Sequence, residues 1–271
     1  MMKLACASIS FKGEFAAGSM NLFSFIDECR RLDLDSVDLN APHFARADEA
    51  YLREGKLRCV RNGLPIGCLN ISNNFGMADA VLGQQVEMTK RWIDNAQYLG
   101  APQVRVFAGS TPPGDSDMAA RARATRALKV VADYGYTRGV LVALQNHNHG
   151  ALTKDGDEVL RLLERAGPHL GHVWDTGQYV GSPGASGADR SQGAQERLYR
   201  SLEQTVHLAT HVRTKIYRIT GGVEEWLDYP RIFGMLRTAG YNVSCAIVYE
   251  GPGGERTAVA SAVHFLRQFV P

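Results

Sequence analysis

Hydrophobic positions in this chain gather into short, nearly continuous runs, and several of those runs stop abruptly at polar side chains able to carry charge or protons. The clearest is Leu141-Val142-Ala143-Leu144-Gln145-Asn146-His147-Asn148-His149-Gly150. An apolar run this short, closed by a turn signal, predicts a strand buried on both faces. Its last residues then open onto a cavity. Three later runs repeat the plan: His172-Val173-Trp174-Asp175-Thr176-Gly177-Gln178, His211-Val212-Arg213-Thr214-Lys215-Ile216-Tyr217 and Cys245-Ala246-Ile247-Val248-Tyr249-Glu250-Gly251. Strands with polar cargo at their C-terminal ends bring those ends together most simply in a closed parallel barrel, whose rim is the expected site.

The full set of strand-like runs is Leu4 to Ser8, Ser36 to Leu39, Pro65 to Ile71, Gln103 to Ala108, Leu141 to Gln145, Gly171 to Asp175, Thr210 to Tyr217 and Cys245 to Tyr249. Helical patterns lie between them. Asn21 to Leu32 follows Ser19 as its cap, Leu82 to Leu99 ends at Gly100, Asp117 to Tyr134 ends at Gly135, and Asp155 to Ala166 stops at Gly167-Pro168. Pro230 to Ala239 starts with proline in its first turn and ends at Gly240, and a helix over about Thr257 to Phe269 closes the chain. The alternation and length predict one (β/α)8 TIM barrel over residues 1–271. An open doubly wound sheet is the alternative, but the first βα turn lacks G-x-G-x-x-G.

Two glycine-rich stretches fall on the expected catalytic face. Gly177 through Gly193 follows the Asp175 strand directly, where long loops usually shape a site. Gly251-Pro252-Gly253-Gly254 precedes the last helix, at the place where barrels often bind phosphate, though a plain loop explains it equally well.

Composition narrows the class without naming a reaction. With 271 residues, 45% hydrophobic and 21% charged, the chain has the balance of a globular α/β protein. No apolar run is long enough to cross a membrane, and Met1-Met2-Lys3-Leu4 reaches Lys12-Gly13-Glu14 too soon for a signal-peptide core. The expected location is therefore cytoplasmic, with no membrane partner. Cys6, Cys29, Cys59, Cys68 and Cys245 lack the paired spacing of a zinc site or disulfide framework and read as buried thiols. A net charge of +2 with interspersed signs provides no basic stripe for nucleic acid. Assembly into a homo-oligomer is left open.

At the four strand ends the sequence resembles the xylose isomerase-like TIM-barrel superfamily of sugar phosphate isomerases and epimerases. Gln145-Asn146-His147 stands against the family's Glu-Asn-His, and Asp175-Thr176-Gly177-Gln178 against Asp-Thr-Gly-His. Gly240-Tyr241-Asn242 leading to Tyr249-Glu250-Gly251 stands against Gly-Tyr-Asp-Gly and Glu-Tyr-Glu-Gly. The resemblance implies a divalent metal on Glu, Asp, His and Glu of strands five to eight, with the two glutamates moving the proton. In this chain those positions hold Gln145, Asp175, Arg213 and Val248, while Glu250 matches a second family acid. The preferred expectation is loss of that metal, leaving no cofactor.

The alternative is a divalent ion (Mn, Mg or Zn) on Asp175, Glu250, Gln145 and His211. It needs the last two strands slipped by two residues, about 6.6 Å, in opposite directions. A charge count supports the loss: Arg213 and Lys215 facing inward would balance Asp175 and Glu250 without an ion.

The resulting expectation is an enzyme on a small sugar or keto-sugar that abstracts a proton next to a carbonyl, giving isomerisation, epimerisation or β-elimination. Asp175, Glu250, His147 and Lys215 are the candidate catalytic residues. Gln145, Gln178, Arg213, Arg105 and Asn70 are the candidate substrate contacts. Arg105 is expected to orient the carboxylates from below, Asn73 and Asn74 read equally as polyol contacts or turn formers, and His149 reads as a loop residue. The competing readings are a sugar-binding relative without catalysis and a conventional metal-dependent isomerase.

Overall fold

The computed structural model describes residues 1–148, 151–184 and 191–270. His149 and the middle of the Gly177 to Gly193 stretch lie outside the described residues. The strands are β1 (Lys3–Ala7), β2 (Ser36–Asn40), β3 (Ile66–Asn70), β4 (Gln103–Val106), β5 (Leu141–Gln145), β6 (Leu170–Asp175), β7 (Ala209–Ile216), a small hairpin β8 (Ile219–Thr220) and β9 (Val223–Glu224), and β10 (Ser244–Tyr249). All but the hairpin close into one barrel in the order β1-β10-β7-β6-β5-β4-β3-β2. Every neighbour around it is parallel. The expected (β/α)8 barrel is therefore the observed fold.

Around the barrel run α1 (Lys12–Ala16), α2 (Leu22–Arg31), α3 (Glu49–Asn62), α4 (Asp79–Leu99), α5 (Asp117–Arg138), α6 (Gly156–Ala166), α7 (Gln192–Thr205), α8 (Tyr229–Thr238) and α9 (Glu255–Leu266). Two predicted helix ends are corrected. Asn21, not Ser19, caps α2: its side chain accepts from the Phe23 and Ser24 amides while Ser24 returns a bond to the Asn21 amide. And α5 runs past Gly135 to a left-handed cap at Gly139. Gly135 is instead a contact glycine, because a Cβ there would sit 2.5 Å from the Val140 carbonyl oxygen.

Besides the short α1, helices α3 and α7 go unpredicted. Each buries only a few apolar side chains, such as Tyr51 and Leu52 in α3 and Leu198 and Leu202 in α7, within otherwise polar sequence.

Strand alternation sorts the two faces. On β6, Trp174 points out to the helices and donates to the Leu202 carbonyl of α7 at 3.1 Å, while Asp175 points inward. The five cysteines are free, buried thiols, and burial alone pushes Cys59 and Cys245 up to about 12. Among the described residues no helix is long and apolar enough to cross a membrane.

Candidate active site at the barrel mouth

Asp175 ends β6, and its position is fixed twice. The Asn146 side chain grips its backbone, accepting from the Asp175 amide at 2.8 Å and donating to its carbonyl at 2.9 Å. The carboxylate is held separately. Oδ1 accepts the Gly177 amide at 3.0 Å and Oδ2 accepts Gln145 Nε2 at 2.9 Å. Two cations crowd the same Oδ2: Lys215 Nζ at 3.4 Å, and Arg213 Nε at 3.4 Å in a charge contact that lacks hydrogen-bond geometry. Gly177 is required here because a Cβ would lie 2.5 Å from Lys215 Cγ.

Lys215 bridges to the second acid, donating to Glu250 Oε1 at 2.8 Å. Its own backbone is pinned by Thr176, whose hydroxyl accepts its amide, and by Tyr229, whose hydroxyl donates to its carbonyl at 2.6 Å. Lys215 is buried, whereas the Glu250 side chain is 30% exposed and is the carboxylate open to a ligand. Burial pulls the Glu250 carboxyl up, but the Lys215 ammonium, helped by Arg213 and Lys12, outweighs it and holds the group below its ordinary 4.5. Gln178 Nε2 reaches Glu250 Oε2 at 3.5 Å.

Arg213 also donates through Nη1 to Asn70 Oδ1 at 2.9 Å. Arg105 shares that oxygen at 3.3 Å, donates to the Ile71 carbonyl at 2.7 Å and stacks 4.0 Å over the Phe107 ring. It therefore braces Asn70 and β3, in place of the expected contact with the carboxylates. Burial, with Arg213 beside it, brings Arg105 down to about 9, still protonated near neutral pH.

Asp175, Glu250, Lys215, Arg213, Gln145 and Gln178 thus converge, with Asn70 and Arg105 joined through Arg213. His147 lies just past the end of the same strand as Gln145. Its amide bonds to Thr153, and its ring lies edge-on to Phe107 at 5.0 Å beside a cavity of about 180 Å³ that Asn73, Asn74 and Ser110 also line. Asn73 exchanges two bonds with the Phe107 backbone, and Asn74 accepts the Gly76 and Ser110 amides, so both act as turn formers. His211 belongs to another layer altogether, paired with Asp38 at 2.7 Å. The slipped ligand set Asp175, Glu250, Gln145 and His211 is accordingly not assembled around one point.

The mouth residues do not suit a divalent ion. Gln145 presents its amide nitrogen to Asp175, two cations already press on Oδ2, and each carboxylate has a cationic partner. Sequence reasoning passed over Asn146, Thr176 and Tyr229, which act by bonding to backbone. Asn146 and Thr176 left a signal, each inside one of the runs Gln145-Asn146-His147 and Asp175-Thr176-Gly177-Gln178.

A closed parallel barrel whose strand ends carry paired acids and bases defines the class of protein. A family profile described as xylose isomerase-like TIM barrel matches residues 26–269, and the chain belongs to that family. Similar solved structures include the D-psicose 3-epimerase of Clostridium cellulolyticum in complex with D-tagatose, at 14% identity, 99% coverage of both chains and a TM-score of 0.78. Another is the 3-keto-D-glucoside 4-epimerase YcjR of E. coli, at 16% identity, covering 99% of this chain and 100% of that one, with a TM-score of 0.74. The D-allulose 3-epimerase of Methylomonas sp. gives 14% identity, 99% and 98% coverage and a TM-score of 0.74. No curated protein sequence matches the chain.

Proposed function

We propose that this chain is a carbohydrate-active enzyme that removes the proton next to the carbonyl of a sugar or keto-sugar, without a metal at the barrel mouth. The observation that carries the reading is one partly exposed carboxylate, Glu250, set against the buried cations Lys215 and Arg213. Glu250 is the base. A carboxylate held this low is a weak base, so most of the barrier lowering falls to stabilising the enolate. Lys215 and Arg213 carry that charge, the task a metal would otherwise perform. The similar epimerase structures are consistent with a sugar as substrate.

Two amide oxygens support a polyol ligand. Gln145 and Gln178 each turn their NH2 toward an acceptor-only carboxylate, which fixes the amide orientation and leaves both Oε1 atoms buried without a donor. Buried acceptors of this kind are costly unless a ligand supplies the missing hydrogen bonds. Hydroxyl groups of a sugar do so.

A second reading, β-elimination, is favoured by the state of Asp175. Held by Gly177, Gln145, Lys215 and Arg213, it is an anchor and not a second base, and one-base chemistry fits either isomerisation on one face or elimination. In deuterium oxide the protein is expected to exchange the proton next to the carbonyl of ketoses or 3-keto sugars, with EDTA present, and to lose the activity in Glu250→Gln. Release of a leaving group alongside would select elimination. Sugar binding without any exchange would mark a relative that has lost catalysis, and loss to chelator with recovery on Mn²⁺ would overturn the metal-free mouth.

A further inference from the structure

One layer below the mouth, the barrel floor holds a second polar cluster that the chemistry above does not use. Asp38 comes from β2, Cys68 from β3 and His211 from β7, all inside the barrel and all fully buried. One donor atom from each lies within 4.8 Å of the others. Polar atoms buried this deeply are normally satisfied. Here Asp38 Oδ1 and His211 Nδ1 have no partner among the described residues. Asp38 Oδ2 and His211 Nε2 meet at 2.7 Å, so the other oxygen and the other ring nitrogen are the atoms left without a partner. The floor thus presents two unpartnered polar atoms and, beside them, the Cys68 thiol, 3.8 Å from the Leu69 carbonyl.

The backbone makes room for the cluster. Between β2 and β3 the pairing jumps from Val37–Ile66 to Asp38–Cys68, leaving Gly67 as the unpaired residue of a bulge. A Cβ at that position would lie 2.9 Å from Asp38 Oδ1 and 3.5 Å from His211 Cε1. A side chain in place of Gly67 would fill the space into which the carboxylate turns.

We propose that Asp38, Cys68 and His211 form a structural zinc site that ties β2 and β3 to β7 across the barrel floor. Thiolate, imidazole and carboxylate are the donor set that zinc takes in proteins, at bonds of about 2.0–2.3 Å. The ion would take the place of the proton between Asp38 and His211, held by His211 Nε2, an Asp38 oxygen and Cys68 Sγ, whose donor atoms lie within 4.8 Å of one another. Binding releases the thiol proton, so Zn²⁺, one thiolate, one carboxylate and a neutral imidazole sum to zero charge. A neutral complex is the form a dry interior accepts. Burial and the Asp38 charge push the Cys68 thiol up, against Arg105 and Arg213 above, so it is the ion that would displace its proton. The site is independent of the chemistry at the mouth.

The experiment measures metal content and the cobalt spectrum of the full-length protein produced in zinc- or cobalt-supplemented medium. One ion per chain is expected, with a cobalt–thiolate charge-transfer band in the near ultraviolet. Cys68→Ser should lose the band, His211→Gln should lose most of the ion, and Glu250→Gln at the mouth should keep both. Because Cys68→Ser can fail to fold, the band in the unsubstituted protein is the primary readout. A stoichiometric cobalt ion without thiolate absorption, an ion lost in Glu250→Gln, or protein folded with no metal after growth in zinc would each overturn the floor site. A cobalt ion without thiolate absorption, or an ion lost in Glu250→Gln, would also count against the metal-free mouth, whereas folded protein with no metal would overturn the floor site alone.

Discussion

The mouth and the floor of this barrel use the same inward-facing strand positions, two residues apart, and solve opposite problems. At the mouth, His211's strand neighbour Arg213 joins Lys215 in facing Asp175 and Glu250, and every charge has a partner while two amide oxygens are left over. At the floor, Asp38 and His211 satisfy only half of each other, and the unsatisfied atoms face inward, where no solvent reaches. Unmet hydrogen-bonding capacity at the mouth suits a ligand that comes and goes. The same capacity at the floor suits something that is enclosed when the chain folds and stays.

The largest expected effect that separates the two layers is on turnover. Lys215→Met should lower it by about 10²–10⁴-fold. It should also move the acid limb of the pH profile upward, because Glu250 keeps its burial and loses the cation that holds it down. An unchanged limb would mean that Glu250 is not the titrating base. At the floor, His211→Leu leaves the Asp38 charge buried without its partner and should cost about 3–5 kcal/mol in urea unfolding. Turnover per folded molecule should change far less than in Lys215→Met, and an equal loss would join the two layers into one functional unit.

A smaller effect concerns acid stability. His172, fully buried on the outer face of β6 and bonded to the Leu144 carbonyl, is brought by burial from 6.5 to about 4. The unfolded chain therefore takes up this proton first, so stability is complete above pH 6.5 and declines as pH falls toward about 4. The loss is about 3 kcal/mol, and His172→Phe should flatten that part of the stability–pH curve. The smallest effect is on affinity. Gln145→Leu removes one orphan acceptor and should weaken sugar binding by about 10-fold, or ~1.4 kcal/mol, measured calorimetrically.

The barrel was legible because its information is local. Short apolar runs and the glycines at 100, 167 and 240 punctuate the chain almost strand by strand, while α3 and α7, poor in apolar residues, and the short α1 leave too faint a pattern. The mouth was half legible: strand-end side chains announce Asp175, Lys215 and Glu250, but a bond such as that from Tyr229 to the Lys215 carbonyl depends on how α8 docks, which no run of residues encodes. His147 ends the same run as Gln145, and its ring lies edge-on to Phe107. The floor was not legible at all. Asp38 and His211 are 173 positions apart, and nothing in the spacing of β2, β3 and β7 says which inward residues share a layer.

The grip of Asn146 on residue 175 has one more consequence. Because a neighbouring side chain supplies the two bonds that another strand would have made, the main chain at the rim is located without help from the carboxylate it carries. Position 175 is in that sense a socket. A protein engineer could fit it with a different functional group and find the new atom delivered to nearly the same place, with the scaffold already paid for by its neighbour.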